Sequence, residues 1–202
     1  VSAQLGMSYV LGAAFCLGAA LAGPVIEIAL GPKWSDAAPL FAILAFGGVF
    51  QVMGYVYYWS FLACGLTGLQ LRYSLVTRLL MIGLIIVGAF YGPTGTALAV
   101  SVSLALNWCV LSAFPMRRTG MDVSAIVRTG ARGIAVNVVM AVAVWGVDAS
   151  LATTLAPLAR VAIGLSVGIL TYAVIATLIS PVRRDLVAIL HMVKRSPDDT
   201  KS

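Results

Sequence analysis

Apolar residues in this chain come in long blocks rather than at scattered or alternating positions. Val1 to Ile26 contains no charged residue at all, and similar stretches recur toward the C-terminus. Six blocks emerge, roughly 5–30, 37–64, 73–91, 93–114, 131–147 and 160–180. Their lengths suit α-helical spans, since about 20 mostly apolar residues cross about 30 Å of hydrocarbon. The breaks between them carry helix-ending residues: Gly31-Pro32-Lys33-Trp34-Ser35-Asp36, Gly65-Leu66-Thr67-Gly68, Gly92-Pro93-Thr94-Gly95, the basic stretch Met116 to Gly133, and Asp148 to Pro157. Proline lacks the amide donor that a helix interior needs, and glycine tolerates turn conformations. The expected fold is therefore all-α, a polytopic transmembrane bundle of six spans over residues 1–180, followed by a tail, 181–202.

Within that tail the apolar residues Val182, Leu186, Ile189, Leu190 and Val193 fall on one helical face, flanked by Arg183, Arg184, Lys194 and Arg195. This is a basic amphipathic helix. It suits either the anionic headgroup region of a bilayer or packing on the protein's own loops. Ser196 to Ser202 is polar and expected to fray.

Composition excludes a water-soluble globule: 61% of the residues are hydrophobic and 10% charged. Soluble domains are about 45–50% apolar and about 25% charged. The net charge of +6 would suit a nucleic-acid partner in a soluble protein. In a membrane protein, Lys and Arg collect instead on the cytoplasmic face. With six spans, one side holds Arg72, Arg78, Arg117, Arg118, Arg128, Arg132, Arg183, Arg184, Lys194, Arg195 and Lys201, and the other holds Lys33 and Arg160, eleven against two. Omitting the 131–147 span leaves seven against six. The expected topology is six crossings of a bacterial inner (plasma) membrane, with both ends of the segment cytoplasmic. Residues 31–36 and 148–157 then face outward. The first block lacks an initiator Met and a basic leader region, so the chain reads as cut from something longer.

No catalytic constellation is legible, so no enzyme, cofactor or metal is expected. His191 is the only histidine and lies in the tail. Cys16, Cys64 and Cys109 sit in apolar stretches without metal-ligand spacing and read as packing residues. Gly92-Pro93-Thr94-Gly95 lacks the lysine and preceding strand of a phosphate loop and reads as a tight turn.

Polar residues inside the spans are the remaining chemistry, because they are costly in hydrocarbon and face a bundle interior or a hydrated path. Gly47, Gln51, Gly54 and Tyr58 share a face of the second span, and Thr96, Ser103 and Asn107 share one of the fourth. These faces either line a path for a hydrophilic solute or pack helices against each other. Arg78, near the start of the third span with Ser74 one turn before it, either meets a phosphate or acidic sugar or snorkels to the interface. Candidate substrate-path residues are thus Arg78, Gln51, Tyr58, Ser103 and Asn107. Glu27 and Asp148 are expected at the outer interface, and interfacial anchoring is expected for most of Tyr55, Tyr57, Tyr58, Trp59 and Trp34. The pairs Gly88/Gly92 and Gly164/Gly168 fit the GxxxG packing spacing.

Three loop signatures carry a family likeness. They are Leu30-Gly31-Pro32-Lys33-Trp34-Ser35-Asp36-Ala37-Ala38-Pro39-Leu40, Ala63-Cys64-Gly65-Leu66-Thr67-Gly68-Leu69-Gln70-Leu71-Arg72, and Gly92-Pro93-Thr94-Gly95-Thr96-Ala97. With Gln51 in the helix between the first two, residues 5–180 resemble the C-terminal part of the Wzx-type flippases. These are the O-antigen and exopolysaccharide exporters of the multidrug/oligosaccharidyl-lipid/polysaccharide superfamily. Relatives often carry a basic residue where this chain has Leu66.

The resemblance implies the last six spans of a fourteen-helix flippase, with the N-terminal lobe missing. The implied function is translocation of a polyprenyl-pyrophosphate-linked glycan across the inner membrane by alternating access. The implied partners are the lipid-linked oligosaccharide, the bilayer, that N-terminal lobe, and a polysaccharide polymerase and glycosyltransferases, with no nucleic acid. Two alternatives stand beside it: a cation-coupled drug exporter of the same superfamily, and a truncated, non-transporting component of a polysaccharide synthesis complex.

Overall fold

The computed structural model describes residues 2–113, 122–152 and 154–195, and among them the chain is a helix bundle without a strand. In chain order the helices are α1 (Ser2–Leu5), α2 (Gly12–Ala20), α3 (Ala22–Leu30), α4 (Ala38–Ala63), α5 (Thr67–Ala89), α6 (Gly92–Ala113), α7 (Val123–Leu151), α8 (Pro157–Leu178) and α9 (Ser180–Arg195). A π-helical segment, Gly6–Leu11, joins α1 to α2, and a 3-10 turn, Pro32–Ala37, leads into α4. Five helices, α4 to α8, are long and apolar enough to cross a membrane. Gly6–Ala20 and Ala22–Leu30 make a sixth crossing if taken as one broken span.

That break corrects the expectation of an uninterrupted first helix over 5–30. The two halves meet at 78°, with Leu21 at φ −101° and ψ 21°. Pro24 explains it: the residue has no amide hydrogen for the Ala20 carbonyl, and its ring crowds that oxygen. Two other boundaries also shift. α5 starts at Thr67 rather than near 73. α7 starts at Val123, so Arg128 and Arg132 lie on a helix rather than in a loop reaching to Gly133. Asp122 sets that start, its carboxylate accepting from the Ala125 amide at 3.1 Å and from Ser124 Oγ at 2.7 Å. Such a side-chain cap satisfies an amide that the first turn leaves without a partner. The expected loop residues 114–121 and the frayed end 196–202 lie outside the described residues.

α2 is the centre of the bundle, packed between α4 and α7. α8 lies against α7, and α6 lies along both α4 and α5. The core fills the α2, α4 and α7 faces with Cys16, Val49, Met53, Tyr57, Phe61, Ile126, Met140 and Val144, all about as buried as a side chain can be. Gly164 and Gly168 receive Leu21, at the α2–α3 break, and Leu17 of α2: a Cβ on either glycine would come within 2.6 or 3.0 Å of those leucines. Gly88 pairs with Gly95 rather than with Gly92. Added Cβ atoms there would lie 2.6 and 2.5 Å from the facing carbonyl oxygens. Gly92 instead takes φ +76° and makes the turn, a region only glycine enters freely.

Polar side chains knit these helices together. Asn137, fully buried on α7, donates to the Ser8 carbonyl at 2.7 Å and accepts from the Tyr172 hydroxyl of α8, which also reaches the Tyr9 carbonyl. Arg132 binds Asp185 of α9 at 2.7 Å, and Tyr9 donates to the same carboxylate at 3.0 Å. The start of α9 packs on the helices of the bundle rather than on its loops. Val182 is 1% exposed beside Leu5, Tyr9 and Val136, with Leu186 and Ile189 partly buried behind it.

These contacts sort the helix ends into two groups. Tyr9, Arg132 and Asp185 meet at one end, whereas Asp148 of α7 meets Arg160 of α8 at the other. Gly23 lies beside that second pair, a Cβ there coming within 3.9 Å of Arg160.

Candidate functional site

Three helices form a groove with α6 as its floor and α4 and α5 as its walls. α6 packs closely on both neighbours, which make little direct contact with each other. At one end small residues pinch the three together. Ser101 of α6 donates to the Ile43 carbonyl of α4 at 2.7 Å, and a Cβ on Gly47 would stand 2.9 Å from the Ser101 Cα. Gly88 and Gly95 bring α5 and α6 into backbone contact at the same end. Toward the other end Tyr58, Phe61 and Met81 stand between the backbones, and a cavity of about 300 Å³ opens.

All five candidate substrate-path residues line this cavity. Gln51 and Tyr58 come from α4, Arg78 from α5, and Ser103 and Asn107 from α6. Gly54 lies with them, whereas Gly47 and Thr96, expected on the same faces, do other work. Gly47 seats Ser101, and Thr96 donates back to the Gly92 carbonyl at 3.2 Å.

The α5 wall also holds Ser74, expected one turn before Arg78, together with Gln70 and Thr77, which the sequence did not mark as lining residues. Their spacing to Arg78 and Met81 is that of one helical face. It was hidden by starting the span at 73, which left Gln70 in a loop. Because α5 begins at Thr67, Arg78 is the twelfth of its 23 residues. Its guanidinium touches Met81 Sδ at 3.8 Å. Both ion pairs of the described residues, Arg132–Asp185 and Arg160–Asp148, lie elsewhere.

The hydrogen-bond state of the lining limits what it can bind. Ser103 spends its hydroxyl proton on the Val100 carbonyl at 2.7 Å, and Thr77 spends its own on Tyr73 at 3.0 Å. Both therefore present acceptor lone pairs to the cavity. Gln51, Tyr58 and Asn107 line the same cavity with groups able to donate and accept. Arg78 adds the cavity's one formal charge, and no carboxylate is among its lining residues. The site suits an anionic group carried on a hydroxyl-bearing body.

Asp148 lies three residues before the end of α7, where it is 8% exposed and held bidentately by Arg160. Tyr57 is no interfacial anchor, being fully buried and hydrogen-bonded to Ser112 of α6, while Tyr58 lines the groove. Trp34 and Trp59 are exposed, as anchors would be. Of the cysteines, Cys16 packs in the core, and Cys64 and Cys109 are exposed. Among the described residues no three His, Cys, Asp or Glu side chains gather as metal ligands would. Comparison with protein-family models, curated proteins and solved structures finds no match for this chain.

Proposed function

We propose that the chain is one lobe of a membrane exporter that passes the polar head of a lipid-linked glycan along the α4–α5–α6 groove. The observation that carries the reading is the convergence of Gln51, Tyr58, Arg78, Ser103 and Asn107 on one cavity with a single positive charge. A sugar head group cannot enter hydrocarbon alone, because its hydroxyls would lose their water partners. A groove of amides and hydroxyls returns those partners, and a guanidinium meets a phosphate or uronate through a planar fork. The loop signatures of the polysaccharide flippases agree with this use, with the N-terminal lobe supplying the opposite wall. A cationic drug fits less well. The groove has no carboxylate to receive it, and buried Asp148 is already neutralised by Arg160.

Arg78 provides the test. Its place at the middle of α5, over the cavity, favours ligand contact over snorkelling. Polysaccharide export would be measured in cells carrying Arg78→Lys or Arg78→Ala in the full-length protein, with membrane levels matched. The expected order is wild type, then Lys, then Ala, because lysine keeps the charge and loses the fork. Normal export by the Ala variant would remove Arg78 from the substrate path.

A further inference from the structure

We propose that α9 is a docked lipid-binding helix, in which Arg183 and Arg184 hold the phosphate of an acidic phospholipid at the end of the bundle where α7 begins. α8 ends at Leu178, Ile179 is extended, and α9 starts at Ser180. The chain thus leaves the apolar span and enters a basic helix with one residue between them. The first two turns of its apolar face are already used: Val182 is buried with Leu5, Tyr9 and Val136, and Leu186 and Ile189 pack against that cluster. Those three side chains are therefore not free to insert into a membrane. What it offers outward is its charged side.

Two observations give that side a ligand chemistry. First, Asp185 is the only acidic residue in Ser180–Arg195, and Arg132 and Tyr9 both bind it. The local negative charge is cancelled, and the bond to Arg132 sets Arg128, one helical turn away on α7, at the same end. Second, Arg183 and Arg184 are exposed, have no carboxylate partner among the described residues, and border a shallow recess of about 330 Å³ with Val187 and Ala188. Two exposed arginines beside a small apolar recess match a phosphodiester continuing into a glycerol and acyl chains. A free anion would leave Val187 and Ala188 uncovered. The adjoining N-terminus of α9 adds a favourable dipole for the phosphate.

The test uses the full chain purified in a mild non-ionic detergent and titrated with phosphatidylglycerol, phosphatidylcholine or inorganic phosphate. Native mass spectrometry would count the adducts retained. Phosphatidylglycerol is expected to be retained over phosphatidylcholine. The Arg183→Gln/Arg184→Gln variant is expected to weaken that retention roughly 30-fold, about fivefold for each basic residue removed. Arg183→Lys/Arg184→Lys keeps the charge and should fall between the two, which separates a lost contact from a misfolded protein. Removal of exposed Arg72 on α5 by Arg72→Gln should leave retention unchanged. Equal retention by the wild type and the Gln pair would overturn the site. So would an equal loss in Arg72→Gln, which would mean general surface charge. Displacement of the lipid by equimolar inorganic phosphate would overturn the lipid assignment.

Discussion

The Arg160 guanidinium donates to both carboxylate oxygens of Asp148, from Nε to Oδ1 at 2.8 Å and from Nη2 to Oδ2 at 2.7 Å. The two side chains retain only 12% and 9% of their exposure, and they join the end of α7 to the start of α8. Removing one partner leaves a buried charge without its counterion. Asp148→Ala is therefore expected to cost about 3–5 kcal/mol. Asp148→Leu combined with Arg160→Met should recover most of that loss, because an apolar pair has no charge to desolvate. Thermal unfolding of the detergent-solubilised variants is the measurement. A single-variant loss under about 1 kcal/mol would place the pair in the solvated class instead.

Two glycines of the same helix make a controlled comparison. A Cβ on Gly88 would sit 2.6 Å from the Gly95 carbonyl oxygen, whereas one on Gly83 has nothing within 4 Å. Gly88→Ala should force α5 and α6 apart and cost about 1–3 kcal/mol. Gly83→Ala should be neutral or stabilising by about 0.5–1 kcal/mol, since alanine loses less backbone entropy in a helix. Unfolding midpoints of both variants, compared side by side, check the prediction. Equal effects would mean that the α5–α6 backbone contact does not form.

The cap of α7 should respond to acid. Donation from the Ser124 hydroxyl, and then from the Ala125 amide, favours the charged Asp122 carboxylate and lowers its pKa. A carboxyl whose folded pKa is depressed stabilises the fold above its unfolded value, about 3.9. That contribution disappears as the pH falls through the lower folded value. The first turn of α7 is expected to fray in that acidic window and to stay protected at neutral pH. Hydrogen exchange at the Ala125 amide reports it directly, and Asp122→Ala should show the frayed rate at every pH.

Orientation can be read with single cysteines. The native thiols must go first, and Cys64 and Cys109 matter most because they are exposed. In that background Ser35→Cys, in the turn before α4, should react with an impermeant maleimide in intact cells. Ser124→Cys, at the start of α7, should react only after permeabilisation. Both serines are exposed, so access depends on the side of the membrane. Labelling of Ser124→Cys from outside would invert the topology inferred from the eleven-to-two charge split.

Much of this architecture is legible in the residues alone, because lipid imposes a local rule. Each backbone polar group must be satisfied within its own segment, so a block of about 20 apolar residues commits itself to a helix wherever it lies in the bundle. Glycine at 31, 65 and 92 marks turns for a similarly local reason, a positive φ at each. Pro24 carried an equally local signal for the 78° break, although it was lost inside an otherwise uniform apolar stretch. Helical spacing also set out the polar faces of α4 and α6 before any packing was known.

Which faces meet is a different kind of fact, decided by fit between segments far apart in sequence. Spacing shows that Gln51 and Tyr58 share a side of their helix. Only the pinch of Gly47 on Ser101 and Gly88 on Gly95 turns that side toward Arg78. The pairing of Asp148 with Arg160 and of Asp185 with Arg132 likewise follows from how α7, α8 and α9 pack. A charge in a sequence carries no record of its counterion. For that reason nothing in the sequence ties Asp148 to Arg160, and the apolar stripe of α9 suits a bilayer as well as a protein surface until Val182 is seen buried against Leu5, Tyr9 and Val136.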